Sequence, residues 1–436
     1  MKELKNRFRR YRGKIIDRLP DRIRKPIILQ YRLKIPQIRK EQKKLIEAIS
    51  KRESVNVAFI VSSLSMWKYA DILDCLKTDS RFNILIILYP FHSYSISAKN
   101  ESISQLSLYF SDKGVTVVNA YDANNDLVSL FERFNPEILF YQMAYEGIYN
   151  NYLEAKNHKT RLICYSHYAI GTMKGGGFVN TPFHNYAWKI YVSTNIHKQI
   201  ARKEATNSGE NVVVVGEGNA QWFNKSNPYK CWKNNQLDTK KIIWAPHYSI
   251  LEGHAFYHTS FLWLSDFMLH LADMYNGRLK IAFKPHPKLK TLMYEHPEWG
   301  KERTEAYYLR WEKGDNTILE EGYYADLFAS SDALIHDSCS FIGEYMYTGK
   351  PSLFTSKDIN KIREECNEFG QICLDLHYIA KNESEIIDFI DNVVFRGEDV
   401  LLRNRIKFFN DVLLISDGLT PGQRVYNDLL KEFHWK

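Results

Sequence analysis

No stretch of 18 or more uncharged apolar residues occurs in the 436 residues of this chain, so no segment reads as a membrane-spanning helix. The N-terminus is too charged to contain the apolar region of a signal peptide, and the expectation is a chain that stays in the cytoplasm. Six cysteines (Cys75, Cys164, Cys231, Cys339, Cys366 and Cys373) are scattered without a C-x-x-C pair, which argues against a disulfide framework or a structural zinc site. D-x-D and H-E-x-x-H motifs are absent, and Gly175 to Gly177 lack the G-x-G-x-x-G spacing of a dinucleotide fingerprint. Nothing in the sequence calls for a metal or a cofactor.

What is present is size, charge asymmetry and rhythm. A chain of this length exceeds what one hydrophobic core serves, so two domains are expected. Residues 1–52 hold 19 Lys and Arg against 5 Asp and Glu, and with +8 overall the remainder is left at −6. The basic character thus belongs to an N-terminal arm. Ile15, Ile16, Leu19, Ile23, Ile27, Ile28, Leu29, Leu33 and Ile35 alternate with its charges, and Pro20, Pro26 and Pro36 break it into short amphipathic helices. Such helices suit an anionic membrane surface. Packing on the protein itself is the plainer alternative, and a nucleic-acid arm is disfavoured because no pattern of stacking aromatics accompanies the charge.

From Val55 onward, β-branched runs alternate with amphipathic stretches. Strands are expected at Val55–Ser62, Asn83–Leu88, Val115–Val118, Ile138–Tyr141, Leu162–Tyr165, Ile190–Val192 and Val212–Val215. A polar linker over 225–240 follows. The rhythm then restarts with strands at Lys241–Ala245, Leu279–Phe283, Ala333–His336 and Ser352–Phe354. Strands separated by helices signal βαβ units and parallel sheets. The expected architecture is α/β, with two Rossmann-like domains (53–224 and 241–436) facing a cleft and terminal helices that cross back to the first.

Chemistry concentrates at strand ends, where ligands of open α/β sheets bind. After Ala333–His336 comes Asp337-Ser338-Cys339-Ser340 and a helix carrying Glu344. Backbone N–H groups and serine hydroxyls at a helix start suit a phosphate, although an ordinary serine N-cap reads the same way. Glu344 is placed to reach a ribose hydroxyl or to be a plain helix carboxylate. Cys339, with only His336 adjoining it as a base, reads as packing. Lys284-Pro285-His286-Pro287-Lys288 ends another strand; its prolines fix the direction of His286, which can donate to a phosphate oxygen while Lys284 offsets charge. In the first domain His167 lies just past a strand end and begins a loop containing Gly171, Thr172 and Lys174, a placement suited to a general base. Two tight loops, ending in Pro246-His247 and running Gly216-Glu217-Gly218-Asn219, add His247, Gly216 and Asn219 as candidate donor contacts. A zinc site at His247, His254 and His258 is weakly suggested by the spacing.

The ordered set over roughly residues 140–360 resembles the CDP-glycerol glycerophosphotransferases of teichoic acid and capsule synthesis. That resemblance implies a GT-B fold with the donor in the C-terminal domain, metal-independent catalysis, and peripheral attachment to the inner face of the membrane through residues 1–52. His167 matches the family's first-domain base, His286 the His-Pro histidine that contacts donor phosphate, and Ser338 and Ser340 the hydroxyl pair after the aspartate. Three departures stand out: Tyr168-Ala169-Ile170 intervene before Gly171-Thr172, His336-Asp337-Ser338-Cys339-Ser340 replaces Thr-Asp-Tyr-Ser-Ser, and the strand-end loop departs after Pro246. The implied reaction transfers a polyol phosphate from a CDP-linked donor to a lipid-linked or polymeric glycan acceptor, releasing CMP. Two alternatives are a GT-B glycosyltransferase using an NDP-sugar and a non-catalytic nucleotide- or glycan-binding module. No nucleic-acid partner is expected.

Overall fold

The computed structural model describes residues 21–436 apart from 93, 123–125, 176–177, 219, 221–222, 224–231, 233–237, 251–258 and 323, with side chains from 34 onward. The chain divides into two compact units. Most of the expected linker, together with Asn219, His254 and His258, lies outside the described residues.

The first unit runs through Ala169 and adds Gly175–Gly218 and Ile415–Lys436. Its parallel sheet comprises β1 (Val55–Val61), β2 (Phe82–Leu88), β3 (Thr116–Asn119), β4 (Ile138–Tyr141), β5 (Leu162–Ser166), β6 (Lys189–Val192) and β7 (Val212–Val214). Among the described residues the order is β3-β2-β1-β4-β5-β6-β7. The central strands read as unbroken apolar runs because helices cover both faces; Phe59 and Phe140, for example, stack 4.6 Å apart on neighbouring strands. The order reverses between β1 and β4, where Gln142 Oε1 accepts the backbone N–H groups of Ser62 and Ser63 at 2.6 and 3.1 Å.

The arm differs from the sequence expectation. The arm is not broken at Pro26 or Pro36: a single helix spans Asp21–Ile49. Its second half packs on its own unit, with Ile38, Gln42 and Ile49 buried. Arg39 Nη1 donates to the Ala187 carbonyl at 2.8 Å and Gln42 Nε2 to that of Tyr186 at 3.0 Å. The C-terminal helix Pro421–Glu432 belongs to the first unit, burying Val425 and Leu429. Its Gly422 N–H meets Asp71 Oδ2 at 2.6 Å, too close for any side chain at Gly422.

The second unit comprises Ile170–Lys174 and Asn219–Leu414. Its parallel strands are β8 (Lys240–Ala245), β9 (Leu279–Phe283), β10 (Thr317–Leu319), β11 (Ala333–His336), β12 (Ser352–Thr355) and β13 (Tyr378–Ala380). The order is β10-β9-β8-β11-β12-β13, so the reversal falls between β8 and β11. Aromatic residues dominate the core beneath, with Trp244 against Phe283 at 5.0 Å and Trp311 against Phe283 at 5.1 Å.

Candidate functional site

The carboxyl ends of β8, β9 and β11 meet at the reversal point of the second sheet, the place where doubly wound sheets bind their ligands. Three short loops leave these ends. Phe283 at the end of β9 pairs with Trp244, and the next residue, Lys284, donates its N–H to the Trp244 carbonyl at 2.8 Å. Pro285 and Pro287 then hold the chain extended around His286, and the His286 N–H reaches the Pro246 carbonyl at 3.2 Å. The two loops are therefore tied together through their backbones.

That tie brings His247, Tyr248 and His286 into one cluster. The His286 ring centroid lies 5.1 Å from that of His247 and 4.3 Å from that of Tyr248. Lys288 places its ammonium 5.1 Å over the Tyr248 ring, a favourable cation–π arrangement. His286 Nδ1 accepts the Lys288 N–H at 3.1 Å, which assigns the ring proton to Nε2 and makes that nitrogen a donor. Burial, followed by the nearby His247, Lys288 and Lys284, holds the imidazole well below its ordinary range. It is neutral at pH 7 and presents a hydrogen-bond donor without a formal charge.

Lys284 is 6% exposed. Burial pulls its ammonium down to about 8, with Glu320 and Glu321 acting in the opposite direction. The group is charged at neutral pH but held in dry surroundings, where an anion gains more from it than in water.

Asp337 acts inside the protein. One oxygen accepts the backbone N–H of His247; the other accepts the N–H of Ser260 and its hydroxyl, the latter at 2.9 Å. Burial pushes its carboxyl up to about 6 against these hydrogen bonds. The residue thus ties the β8 loop and the start of the helix Phe261–Met274 to the end of β11. Ser338 caps the helix Cys339–Glu344 without using its side chain, and its Oγ lies 3.4 Å from Ser340 Oγ. The six-residue helix contributes little macrodipole, so hydroxyls and local N–H groups are what this turn could offer an anion. Burial pushes the Cys339 thiol up, with Cys366, Asp337 and Glu365 adding to the shift; a protonated thiol is no nucleophile. Glu344 is fully buried and accepts the Tyr324 hydroxyl.

The loop residues after His167 behave differently from an open loop. Thr172, 1% exposed, donates its hydroxyl to the Cys339 carbonyl at 2.7 Å. Asn367 Nδ2 donates to the Gly171 carbonyl at 2.8 Å. Lys174 donates its backbone N–H to the Glu365 carbonyl at 2.8 Å and its ammonium to that of Glu364 at 2.9 Å. Gly370 has no room for a side chain, because a Cβ there would meet the Thr172 carbonyl at 2.1 Å. Gly171, Thr172 and Lys174 form a strap built into the second unit, which corrects the expectation that they belong to a loop of the first domain.

In the first unit His167 stacks with His184 at 5.7 Å and lies 5.0 Å from Tyr165. Burial, then His184 and His197, hold its imidazole well below the ordinary range. His184 and His197 each occupy the third position of a helix capped by a threonine, with Nδ1 at 2.7 Å from Thr181 Oγ1 and 2.8 Å from Thr194 Oγ1 respectively. Gly216 adopts φ +94°, a left-handed conformation that favours glycine, and a side chain there would meet Arg424 at 3.3 Å. The neighbouring Glu217 is buried in an ion pair with Lys68 at 2.9 Å. Among the described residues no group of three or more His, Cys, Asp or Glu is placed to hold a metal ion. No helix among them is long and apolar enough to cross a membrane.

Sequence reasoning missed Tyr248, Ser260, Asn367 and the His184–His197 pair. The last was signalled by Thr181-Pro182-Phe183-His184 and Thr194-Asn195-Ile196-His197, two capping patterns of the same spacing.

No family model matches the chain, and no curated protein matches it. Solved structures do resemble it. The wall teichoic acid polymerase TagF is similar with a TM-score of 0.58 at 11% identity, over 93% of this chain and 96% of that one; a structure of TagF soaked with CDPG gives 0.56 at 12% identity, over 93% and 97%. A UDP-N-acetylglucosamine 2-epimerase gives 0.55 at 13% identity, over 88% and 98%. The MnaA–UDP structure from S. aureus gives 0.54 at 14% identity, over 88% and 98%. The chain has a GT-B-like fold. At these identities the likeness establishes the α/β architecture of two Rossmann-like units, as expected from the rhythm of the sequence, and leaves the reaction to be argued from the site.

Proposed function

We propose that the chain is a transferase that takes a nucleotide-diphosphate-linked donor at the carboxyl edge of the second sheet and moves a polyol phosphate from a CDP-linked donor to an acceptor hydroxyl, releasing CMP. The observation that carries this reading is the pairing of a buried, charged Lys284 with a neutral His286 whose Nε2 is a donor, both at the β8/β11 reversal point. A diphosphate splitting between its two phosphorus atoms accumulates charge on the departing nucleotide phosphate. An ammonium in low dielectric and an aimed N–H stabilise that charge. Ser338 and Ser340 add hydroxyl donors, and His247 adds a second imidazole beside His286.

His167 is assigned as the base that takes the acceptor's proton. Its neutral imidazole has the protonation state a base requires, and because burial disfavours both an imidazolium and a free alkoxide, the proton moves as the acceptor oxygen bonds to phosphorus rather than beforehand. Gly216 and Asn219 are further candidate donor contacts; Glu344, fully buried and holding the Tyr324 hydroxyl, is not one. The acceptor is a polymeric or lipid-linked glycan in this reading, and residues 1–33 of the arm attach the enzyme to the inner face of an anionic membrane.

A second reading, transfer of a sugar from an NDP-sugar with release of a nucleoside diphosphate, is favoured by the likeness to the UDP-N-acetylglucosamine 2-epimerase and to the MnaA–UDP structure. The by-product separates the two. Incubation with CDP-glycerol, CDP-ribitol, UDP-sugars and GDP-sugars is expected to yield CMP from a CDP-polyol; release of UDP or GDP with no CMP would establish the second reading instead.

A further inference from the structure

His336 closes β11 and His377 immediately precedes β13, and both rings are buried with centroids 5.2 Å apart. Three polar contacts surround them. His336 Nδ1 lies 3.2 Å from the Ser338 carbonyl oxygen, His377 Nδ1 lies 2.8 Å from that of Cys373, and the two Nε2 atoms face each other at 3.1 Å. A carbonyl oxygen only accepts, so each Nδ1 contact is a hydrogen bond only if that nitrogen carries a proton, and the Nε2 contact needs one more. Three contacts therefore require three protons. Two neutral imidazoles bring two.

Burial holds both rings below the ordinary imidazole range, His377 at about 4, so the neutral pair is the resting state at pH 7. The shortfall falls on the longest contact. His377 keeps its donor to Cys373, the second proton sits between the Nε2 atoms, and His336 Nδ1 faces the Ser338 carbonyl with lone pair opposed to lone pair. That carbonyl belongs to the Ser338–Ser340 turn.

We propose that His336 is a positioning residue of this turn, and that an anionic phosphate reaching Ser338 and Ser340 draws one proton from solvent onto His336 Nδ1, converting the opposition into a hydrogen bond that fixes the turn. The inference rests on the reading of this turn as part of the donor site. The only bond formed is N–H, and the proton comes from the buffer acid. The surroundings explain why an anion is needed. Arg405, which forms an ion pair with Asp399, opposes a positive charge on the pair. Asp337 is the adjacent carboxylate in the chain, and the thiols of Cys339, Cys366 and Cys373 are held protonated by burial. The remaining ring neighbours, Phe341 and Phe354, carry no charge. A phosphate supplies the counter-charge that the apo site lacks.

Two measurements on the full chain test this. Histidine-selective nitrogen NMR of the ligand-free protein at pH 7 is expected to show His377 as the Nδ1–H tautomer and His336 as the Nε2–H tautomer; finding both rings as Nε2–H overturns the proton count. Calorimetry with inorganic pyrophosphate in buffers of different ionisation enthalpy is expected to show uptake of about one proton per bound pyrophosphate. His336→Asn places a permanent amide donor against the Ser338 carbonyl and should bind within about threefold of the parent with no proton uptake. His377→Asn keeps a donor to Cys373 and removes the Nε2 partner, and should also abolish uptake. Binding with unchanged uptake in either variant, or binding by the parent without uptake, overturns the inference alone. Absence of pyrophosphate binding overturns it together with the donor reading of the turn.

Discussion

The Asp337 carboxylate accepts the backbone N–H of His247 across the split between β11 and β8. This contact sets the direction of the β8 loop and, through it, of the imidazole that packs on His286. Asp337→Asn retains one acceptor oxygen and turns an amide donor toward N–H groups. The expected loss is about 1–3 kcal/mol of stability, read by denaturant unfolding.

The acid dependence of stability carries two opposed contributions. The Asp337 carboxyl, raised to about 6, binds its proton in the folded state between roughly pH 4 and 6 while the unfolded chain does not, so its contribution falls as pH rises through that window. His377, lowered to about 4, does the reverse: the unfolded chain is protonated between about pH 4 and 6.5, and stability falls as pH drops. Comparing the parent with Asp337→Asn and with His377→Asn across pH 4–7 should reveal slope differences of opposite sign.

Replacing Lys284 with methionine separates stability from function. Below pH 8 the buried ammonium costs the folded state about 3 kcal/mol relative to a free lysine. Lys284→Met is therefore expected to be more stable at pH 7, and that gain should shrink as pH rises from 8 toward 10. Its kcat/KM should fall by about 10²–10³.

Gly370→Ala forces a methyl into the Thr172 carbonyl. The backbone cannot yield as a flexible side chain would, so a loss of about 1–3 kcal/mol is expected. Hydrogen exchange should quicken at Asn367, whose N–H is bonded to that carbonyl at 2.9 Å. Exchange as slow as in the parent would show that the strap does not depend on this close approach.

Truncation of residues 1–33 leaves the packed half of the arm helix intact, including Arg39 and Gln42. Sedimentation with phosphatidylserine-containing vesicles should fall sharply in the truncated form and in high salt. Equal partition of both forms would remove the membrane attachment.

Most of the architecture was legible because buried parallel strands are written as apolar runs: Ile138–Tyr141, Leu279–Phe283 and Ala333–His336 begin and end where the sequence suggests. The strands β10 and β13 were not, since Thr317–Leu319 and Tyr378–Ala380 are three-residue edges too short to show a period. The prolines at 26 and 36 misled, because the helix Asp21–Ile49 continues through both. That Lys284 and His286 directly follow a strand was readable from the apolar run Leu279–Phe283. The partner of Asp337, the ring of Tyr248 against His286 and the insertion of Thr172 beside Cys339 depend on contacts between residues far apart in sequence.

Calorimetric titration of CDP onto the parent chain, His286→Ala, Lys284→Met and His167→Ala tests the placement of the donor most directly. The account predicts that His286→Ala and Lys284→Met each weaken binding by about tenfold or more while His167→Ala leaves it within about twofold. CDP binding undiminished in both second-unit variants would contradict it.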